Sequence, residues 1–324
     1  MADDEVATKA PESDAAQQSV FPGDTPAQEG PSMGEHCVTD RPTLAGEKPT
    51  GEMTKLGDVD VYITKPSDYP HSPSKLLLFL TGGTGIHSTN NQLQADKYAA
   101  EGFLVVMPDQ FAGDPAPNSA AELPSPDQNT SWIETVKLRA AETAKSFVID
   151  MWLARHTPEK VLPLLHAVLS SAKDEFADAV ANGGGVYAVG YCFGAKYVLM
   201  LAGEHTDTMI GGQPKPEDEE AGMVKQGPLI KAGAIAHGTM ITKDDVMAVK
   251  APVCMVCVEN DSLFPDEVRE AGKEALEKAG VEHEIEVYPG VPHGFAVLGD
   301  YEDEKIRDAQ KRAFGQMLGW LQAH

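Results

Sequence analysis

The sequence predicts an α/β fold in which helices cover both faces of a mostly parallel, twisted sheet. Short apolar runs rich in β-branched residues recur along the chain and have the length of buried strands. Longer stretches with apolar residues at helical spacing separate them, and strands that alternate with helices form parallel sheets. With 324 residues, 42% of them hydrophobic, the chain can bury the core of such a domain.

The strands and helices are predicted from the period of the apolar residues and from Gly, Pro and capping residues. The first strand alternates polar and apolar residues and is expected at an edge of the sheet. Strands are predicted at 58–64, 76–81, 103–107, 185–189, 232–236, 251–258 and 284–288. Helices are predicted at 90–101 (capped by Ser88 or Thr89), 132–155, 158–182, 196–202, 266–279 and 302–321.

A glycine-flanked turn, Gly190-Tyr191-Cys192-Phe193-Gly194, joins a predicted strand to a predicted helix. The pattern Gly-x-nucleophile-x-Gly is the nucleophile elbow of α/β-hydrolases, here with Cys in place of the usual Ser. The two glycines allow a sharp turn and a close approach of strand and helix, and the helix N-terminus favours negative charge. In the alternative interpretation, Cys192 is a small buried apolar residue.

Two residues further along the chain complete a catalytic set with Cys192. Asp261 follows one predicted strand, and His293 lies in the Pro/Gly-rich loop after the next. The order nucleophile, acid, histidine is that of α/β-hydrolases, and ligands bind beyond the carboxyl ends of strands in open α/β sheets. We expect Cys192 to attack a carbonyl carbon as the thiolate, His293 to accept the thiol proton, and Asp261 to orient the imidazole. The alternatives are a helix-capping Asp and a surface His.

These motifs resemble those of the dienelactone hydrolase family, which are α/β-hydrolases with a Cys-His-Asp triad. The resemblance covers about residues 55–322 and implies an α/β-hydrolase fold, an ester or lactone substrate and neither a metal nor an organic cofactor. The matching motifs are the elbow at 190–194, Asp261 in Glu-Asn-Asp, His293 in Pro-His-Gly-Phe, and residues 92–114 with their Pro-Asp-x-Phe-x-Gly-Asp turn.

An oxyanion hole is expected beside the elbow. In this fold the backbone N–H after the nucleophile, that of Phe193, is one donor, and the resemblance implies that Gly83 supplies the second. A rival interpretation takes the Gly-rich turn at 82–85 as a phosphate loop, but the Gly-Lys-Ser/Thr ending of such loops is missing.

The chain departs from the family pattern at two positions. Bacterial dienelactone hydrolases have a glutamate that helps to generate the thiolate where this chain has Gly82. They have an arginine that binds the substrate carboxylate where this chain has Val297. Thiolate formation would then depend on His293 and the helix N-terminus, and the uncharged residue at 297 predicts a less anionic or larger substrate.

Four side chains are candidates for lining the substrate pocket. They are Tyr191 in the elbow, Phe111 in the Pro-rich loop at 108–130, His237 at a strand end, and Phe295 two residues after His293. His237 can equally be a strand-end histidine that is bonded to backbone. The predicted helix at 132–155 either caps the active site or packs against the sheet.

The chain is expected to comprise an acidic, disordered N-terminal segment, residues 1–50, and a catalytic domain, residues 51–324. The insertion at 204–230, which contains four consecutive acidic residues, is expected to be solvated. A net charge of −24 argues against binding to nucleic acid or to anionic membrane surfaces. The sequence contains neither a secretory signal nor a membrane-spanning apolar stretch, which predicts a cytoplasmic protein.

The remaining cysteines are not expected to act as a redox or metal site. Four cysteines in a chain without a secretory signal do not predict a disulfide framework. Cys254 and Cys257 form a Cys-x-x-Cys motif inside a predicted strand, where residues three apart face opposite sides. A thiol redox protein that uses this pair remains a third, disfavoured interpretation.

The sequence therefore predicts a hydrolase of a small carboxylic ester or lactone that acts through a cysteine and a thioester acyl-enzyme. The alternative is a non-catalytic α/β-hydrolase scaffold that binds a small ligand or a protein partner. We expect a small-molecule substrate and no cofactor, metal or nucleic acid, and nothing in the sequence predicts an oligomeric state.

Overall fold

The computed structural model of the protein describes residues 46–117, 148–206 and 226–324. These residues form the strands β1 (Glu52–Leu56), β2 (Val59–Thr64), β3 (Lys75–Leu80), β4 (Phe103–Pro108), β5 (Val186–Tyr191), β6 (His205–Thr206), β7 (Gln226–Gly227), β8 (Ala232–Ala236), β9 (Val253–Val258) and β10 (His283–Tyr288). Eight of the strands form one sheet in the order β1-β2-β4-β3-β5-β8-β9-β10. The contacts β1–β2 and β2–β4 are antiparallel and the others are parallel.

Helices cover both faces of this sheet. The described helices are α1 (Thr89–Ala100), α2 (residues 148–155), α3 (Pro158–Glu175), α4 (Ala177–Gly183), α5 (Phe193–Leu201), α6 (Lys243–Met247), α7 (Asp266–Ala279) and α8 (Glu304–Ala323). Side chains of α1 and α8 join one apolar core, and side chains of α2 to α7 join the other. This two-sided, mostly parallel arrangement confirms the predicted α/β fold.

The predicted edge strand lies one position inside the sheet. β2 pairs with β4 on one side and with β1 on the other, so β1 forms the edge. The sequence does not reveal β1, because all of its residues except Leu56 are exposed and the strand has no apolar alternation.

The predicted helix at 158–182 is two helices. α3 ends at Glu175, and Phe176 leaves helical geometry with a φ of −117° and a ψ of 43°. The Phe176 side chain is buried in the core on that face of the sheet. The helix is therefore interrupted at Phe176, the residue whose ring is buried in the core. Helix α4 then continues to Gly183.

Several predictions fall on residues outside the described ranges. The N-terminal segment at 1–50, for which disorder is predicted, is described only from residue 46, and the insertion at 204–230 only at its two ends. Of the predicted helix at 132–155, the described part is α2, and the loop at 108–130 is described to residue 117. Among the helices that the structure describes, none is long and apolar enough to cross a membrane.

Candidate active site

The carboxyl ends of four neighbouring strands bring polar side chains together. Cys192 follows β5, Thr239 lies three residues after β8, Asp261 lies three residues after β9, and His293 follows β10. Because β5, β8, β9 and β10 are adjacent and parallel, the loops after them meet at one end of the sheet.

Cys192 lies at the tip of a tight turn between β5 and α5. Its φ of 51° and ψ of −115° are unusual for a residue with a side chain. The turn is possible only because its flanking residues are glycines. A Cβ on Gly190 would lie 2.7 Å from the Gly194 carbonyl oxygen, and one on Gly194 would collide with the Leu80 carbonyl. The structure thus has the geometry of a nucleophile elbow, with the thiol buried at its tip.

His293 and Asp261 form a short hydrogen bond. Nδ1 of His293 lies 2.6 Å from Oδ2 of Asp261, and because a carboxylate only accepts, the imidazole nitrogen donates. The other carboxylate oxygen, Oδ1, accepts a 3.0 Å hydrogen bond from the Leu263 N–H, which fixes the carboxylate plane. Both side chains are nearly buried.

The protonation of His293 is set by competing effects. Burial opposes the charged imidazolium, but hydrogen bonds to Asp261 and Cys192 and the charges of these two groups prevail and raise the pKa of His293 to about 9. The imidazole therefore holds both ring protons at neutral pH and is suited to pair with a thiolate.

Thr239 contacts both Cys192 and His293 and is not among the site residues predicted from the sequence. Its hydroxyl oxygen lies 3.1 Å from Sγ of Cys192 and 3.2 Å from Nε2 of His293, and the residue is fully buried. No motif in the sequence marked this threonine, since its role depends on the turn after β8. The one available signal was its position two residues after His237, at the end of a predicted strand.

The loop after β3 lies over the elbow. The Thr81 carbonyl accepts a 3.0 Å hydrogen bond from the Gly194 N–H, and the Gly83 carbonyl accepts one of 2.8 Å from the Ala116 N–H. Within the described residues, neither the Phe193 N–H nor the Gly83 N–H donates a hydrogen bond. Both predicted oxyanion donors are therefore left without a hydrogen-bond acceptor among the described residues.

Gly82 is in direct contact with the nucleophile position. A Cβ on Gly82 would lie 3.2 Å from Cβ and 3.8 Å from Sγ of Cys192. A glutamate at this position would thus stand against the thiol, and in this chain no carboxylate is present there. Val297, the other departure, is partly buried and packs against the core on the α8 side of the sheet.

Two of the four predicted pocket residues lie beside the candidate triad of Cys192, Asp261 and His293. The His237 ring centroid lies 5.0 Å from that of His293. Phe111 lies 5.3 Å from Phe193 and 5.0 Å from Trp152 by ring centroids, and Trp152 belongs to α2. The described end of the predicted helix at 132–155 therefore packs on aromatic side chains next to the elbow.

The other two predicted pocket residues, Tyr191 and Phe295, are core residues. Alternate strand residues face opposite sides, so Tyr191 points away from Cys192 and bonds to the Tyr98 hydroxyl at 2.9 Å. Phe295 is fully buried and lies 5.2 Å from Tyr288 by ring centroids. Both belong to the core beneath α1 and α8 and contact the His237 ring at 5.9 and 6.2 Å between centroids, and their assignment to the pocket stays a prediction.

The Cys-x-x-Cys pair does not form a joint site. Cys254 lies in the core of one sheet face and Cys257 in the core of the other. Burial raises the pKa of both thiols, that of Cys257 to about 12, which keeps them protonated and unreactive. Within the described ranges no group of three or more His, Cys, Asp or Glu side chains could hold a metal ion.

A large cleft lies elsewhere on the protein. It encloses about 900 Å³ between β2 and the C-terminal end of α1 and is lined by Gly51, Lys65 and Asp96 among others. None of the residues that contact Cys192 or His293 lines it, so the cleft is not part of this site.

Comparison with known proteins identifies the family. The family model of the dienelactone hydrolase family matches residues 59–324. Hydrolase pyvD of Aspergillus violaceofuscus is 31% identical over 84% of this chain and 89% of its own length. Hydrolase tropI of Talaromyces stipitatus is 29% identical over 84% of this chain and 90% of its own length.

A solved structure supports the fold independently of these sequence matches. The crystal structure of a putative dienelactone hydrolase from Klebsiella pneumoniae superposes with a TM-score of 0.60 at 18% identity, covering 85% of this chain and 99% of that one. The architecture is therefore that of the α/β-hydrolases, and the chain belongs to the dienelactone hydrolase family.

Proposed function

We propose that this protein hydrolyses a small carboxylic ester or lactone through Cys192 and a thioester acyl-enzyme. Membership of its family makes the chain a hydrolase of ester or lactone bonds. The observation that carries the finer proposal is the continuous series of contacts from Asp261 through His293 and Thr239 to Cys192, which begins at a nucleophile elbow.

Acylation begins with the Cys192 thiolate, whose proton resides on Nε2 of His293. The thiolate attacks the carbonyl carbon, and the carbonyl oxygen becomes an oxyanion that accepts hydrogen bonds from the Phe193 and Gly83 N–H groups. The carbon–oxygen bond to the leaving group then breaks. His293 protonates the leaving alkoxide, which departs as an alcohol or, in a lactone, stays attached to the acyl group.

Deacylation returns the enzyme to its starting state. His293, now neutral, accepts a proton from water, and the resulting hydroxide attacks the thioester carbonyl. The same two N–H groups stabilise the second oxyanion, and each such donor contributes roughly 10²–10³-fold to the rate. Collapse of this intermediate expels the Cys192 thiolate and releases the carboxylic acid, while Asp261 stabilises the imidazolium.

The surroundings of the elbow support a neutral, apolar acyl group as the preferred substrate. Phe111, Phe193 and Trp152 form an aromatic cluster beside Cys192. The position that binds a substrate carboxylate in bacterial relatives is the apolar Val297. We therefore expect a neutral ester or lactone to be turned over faster than one that carries a carboxylate.

The test is hydrolysis of a small panel of esters by the wild-type protein and by two variants. We expect Cys192→Ala to lose at least about 1,000-fold in kcat/KM, because the nucleophile is gone. The matched control is Cys254→Ala, which removes a buried thiol of strand β9, two strands away from β5, and is expected to keep wild-type turnover. The panel contains a dienelactone, p-nitrophenyl acetate, a longer-chain ester and a thioester.

Two results would speak against the proposal. Wild-type turnover by Cys192→Ala would exclude the cysteine mechanism. If Cys192 were alkylated stoichiometrically and no member of the panel were turned over, the non-catalytic scaffold would be favoured instead.

A further inference from the structure

Thr239 is held in the turn after β8 by hydrogen bonds to the elbow itself. The Cys192 N–H donates to the Ala236 carbonyl at 3.1 Å, and the Thr239 N–H donates to the Cys192 carbonyl at 3.1 Å. Two backbone hydrogen bonds therefore hold the turn against Cys192, which places the Thr239 side chain within reach of Sγ.

The same turn is constrained from its far side. His237 and Met240 have positive φ values of 37° and 57°, which cost free energy in residues with side chains. The Met240 N–H donates to the Leu263 carbonyl at 3.2 Å, and Nζ of Lys196 donates to the Met240 carbonyl at 3.0 Å. A strained turn fixed at both ends directs one hydroxyl between the two reacting groups.

The direction of each hydrogen bond follows from the number of protons available. Nδ1–H of His293 donates to Asp261, and because the imidazole is doubly protonated at neutral pH, Nε2 also carries a proton. Nε2–H faces both the Cys192 side chain and the Thr239 oxygen, and the Thr239 oxygen, at 3.2 Å, accepts from it. The hydroxyl hydrogen is left to point at Sγ of Cys192, and a thiolate is a far better acceptor than a thiol.

We propose that the Thr239 hydroxyl holds Cys192 and His293 as a thiolate–imidazolium pair, by accepting a hydrogen bond from Nε2–H and donating one to Sγ. This inference rests on the proposed function, in which Cys192 is the nucleophile. In forming the pair, the S–H bond breaks and an Nε2–H bond forms, and Thr239 has the same number of protons before and after.

The absence of a carboxylate at position 82 leaves a role for Thr239 in stabilising the Cys192 thiolate. A glutamate at 82 would supply a group beside the thiol that helps to generate the thiolate, and Gly82 supplies none. Thr239 contacts the thiol from the β8 side, with its hydroxyl within hydrogen-bonding distance of both partners. The hydroxyl thus stabilises the thiolate at a site that lacks the neighbouring carboxylate.

The titratable groups that face the pair come from three elements. Asp261 approaches from the loop after β9, and His237 faces His293 from the end of β8 with ring centroids 5.0 Å apart. Cys257 lies in β9 itself and is buried. The variants below change none of these groups, so a changed reactivity of Cys192 reports the hydroxyl.

The experiment measures alkylation of Cys192 by iodoacetamide in the full chain from pH 5 to pH 10. Peptide mass spectrometry quantifies Cys192 separately from Cys37, Cys254 and Cys257. Thr239→Val keeps the shape of the side chain but removes the hydroxyl. We expect its alkylation rate at pH 7 to fall about tenfold or more, since a hydrogen bond to a charged group is lost. Thr239→Ser keeps the hydroxyl and is expected to stay within about twofold of the wild type.

A merely structural role would give a different result. The proposal would be overturned if Cys192 in Thr239→Val were alkylated as fast as in the wild type, or faster, across the pH range. It would also be overturned if the alkylation rate of Thr239→Ser fell as far as that of Thr239→Val. Matching circular dichroism spectra and thermal midpoints for both variants exclude misfolding as the cause. Alkylation requires no turnover, so this outcome is independent of whether Cys192→Ala abolishes hydrolysis.

Discussion

At the scale of single residues, the site depends on how one imidazole is charged. His293 is almost fully buried, which by itself would favour the neutral ring. The Asp261 carboxylate at 2.6 Å and the Cys192 side chain act in the opposite direction and prevail. The imidazolium is thereby kept up to about pH 9, so it can supply a proton to a leaving alkoxide at neutral pH.

This charge predicts the alkaline limb of the pH profile. The imidazolium is present below its pKa and is lost as pH rises through about 9, so kcat/KM should fall above that pH. Asp261→Asn removes the carboxylate charge that raises the pKa of His293 and should move this fall to lower pH. The measurement is kcat/KM against pH for both proteins, with histidine NMR to follow the ring, assigned with a His293→Gln variant.

An alkaline limb at the same pH in the wild type and in Asp261→Asn would contradict this assignment. It would mean that another group, and not the imidazolium, limits the reaction at high pH. The NMR titration decides independently, because it follows the ring of His293 whether or not the substrate is turned over.

The residues of the candidate site differed in how far the sequence could predict them. The elbow, Asp261 and His293 each carry a local pattern: a glycine pair, a strand end, a Pro/Gly-rich loop. Thr239 has no such pattern, because its hydroxyl reaches Sγ only through the backbone bonds between the 236–239 turn and the elbow. Tyr191 and Phe295 lie in the core beneath α1 and α8, which the sequence could not show, since side-chain direction depends on which face of the sheet each element covers.

At the scale of elements, the elbow exists because strand β5 and helix α5 approach with no side chain between them. Gly190 faces the Gly194 carbonyl, and Gly194 faces the backbone of Leu80 in β3. The Gly194 N–H also donates to the Thr81 carbonyl at 3.0 Å, which joins the elbow to the loop of the predicted oxyanion hole. Gly194 thus allows the close packing of α5 against β3 and also positions the elbow relative to the loop after β3.

Gly194→Ala should therefore destabilise the protein and impair hydrolysis. The added methyl group would meet backbone atoms of Leu80, which cannot rotate away, and overpacking of this kind costs about 1–3 kcal/mol. The matched control is Gly315→Ala in α8, where an added Cβ meets nothing within 4 Å. There, alanine should raise the free energy of unfolding by about 0.5–1 kcal/mol.

Denaturant unfolding and ester hydrolysis of the two variants check this prediction. Gly194→Ala with wild-type stability and turnover would show that the elbow tolerates a side chain at this position. A loss of stability in Gly315→Ala of the same size as in Gly194→Ala would show that the effect is not specific to the elbow.

Most elements could be predicted from the sequence, and the failures have physical causes. α7 was predicted at its observed bounds, because Pro265 and Gly280 bracket an amphipathic run. β1 was missed because an exposed edge strand needs no apolar face. The break between α3 and α4 was missed because Phe176 is drawn out of the helix by tertiary burial, which local propensity does not reveal.

At the scale of the whole molecule, the site is assembled by the order of strands in the sheet. Cys192, Thr239, Asp261 and His293 span about a hundred residues of sequence, and the parallel neighbours β5, β8, β9 and β10 bring their loops together. Side chains that are distant in the sequence therefore contact one another in the fold, from Cys192 through Thr239 and His293 to Asp261. The strand order itself was not predictable, since the apolar pattern of a strand does not specify its neighbours.

The most direct test of the central claim is the mass of the enzyme after a first turnover that is stopped with acid. A p-nitrophenyl ester is mixed with the protein, quenched within milliseconds, and the peptides are analysed by mass spectrometry. The account predicts an added acyl mass on the peptide that contains Cys192, and its absence from Cys192→Ala. An acyl group on another residue, or a burst of p-nitrophenol equal to the enzyme concentration with Cys192 unmodified, would contradict the cysteine mechanism.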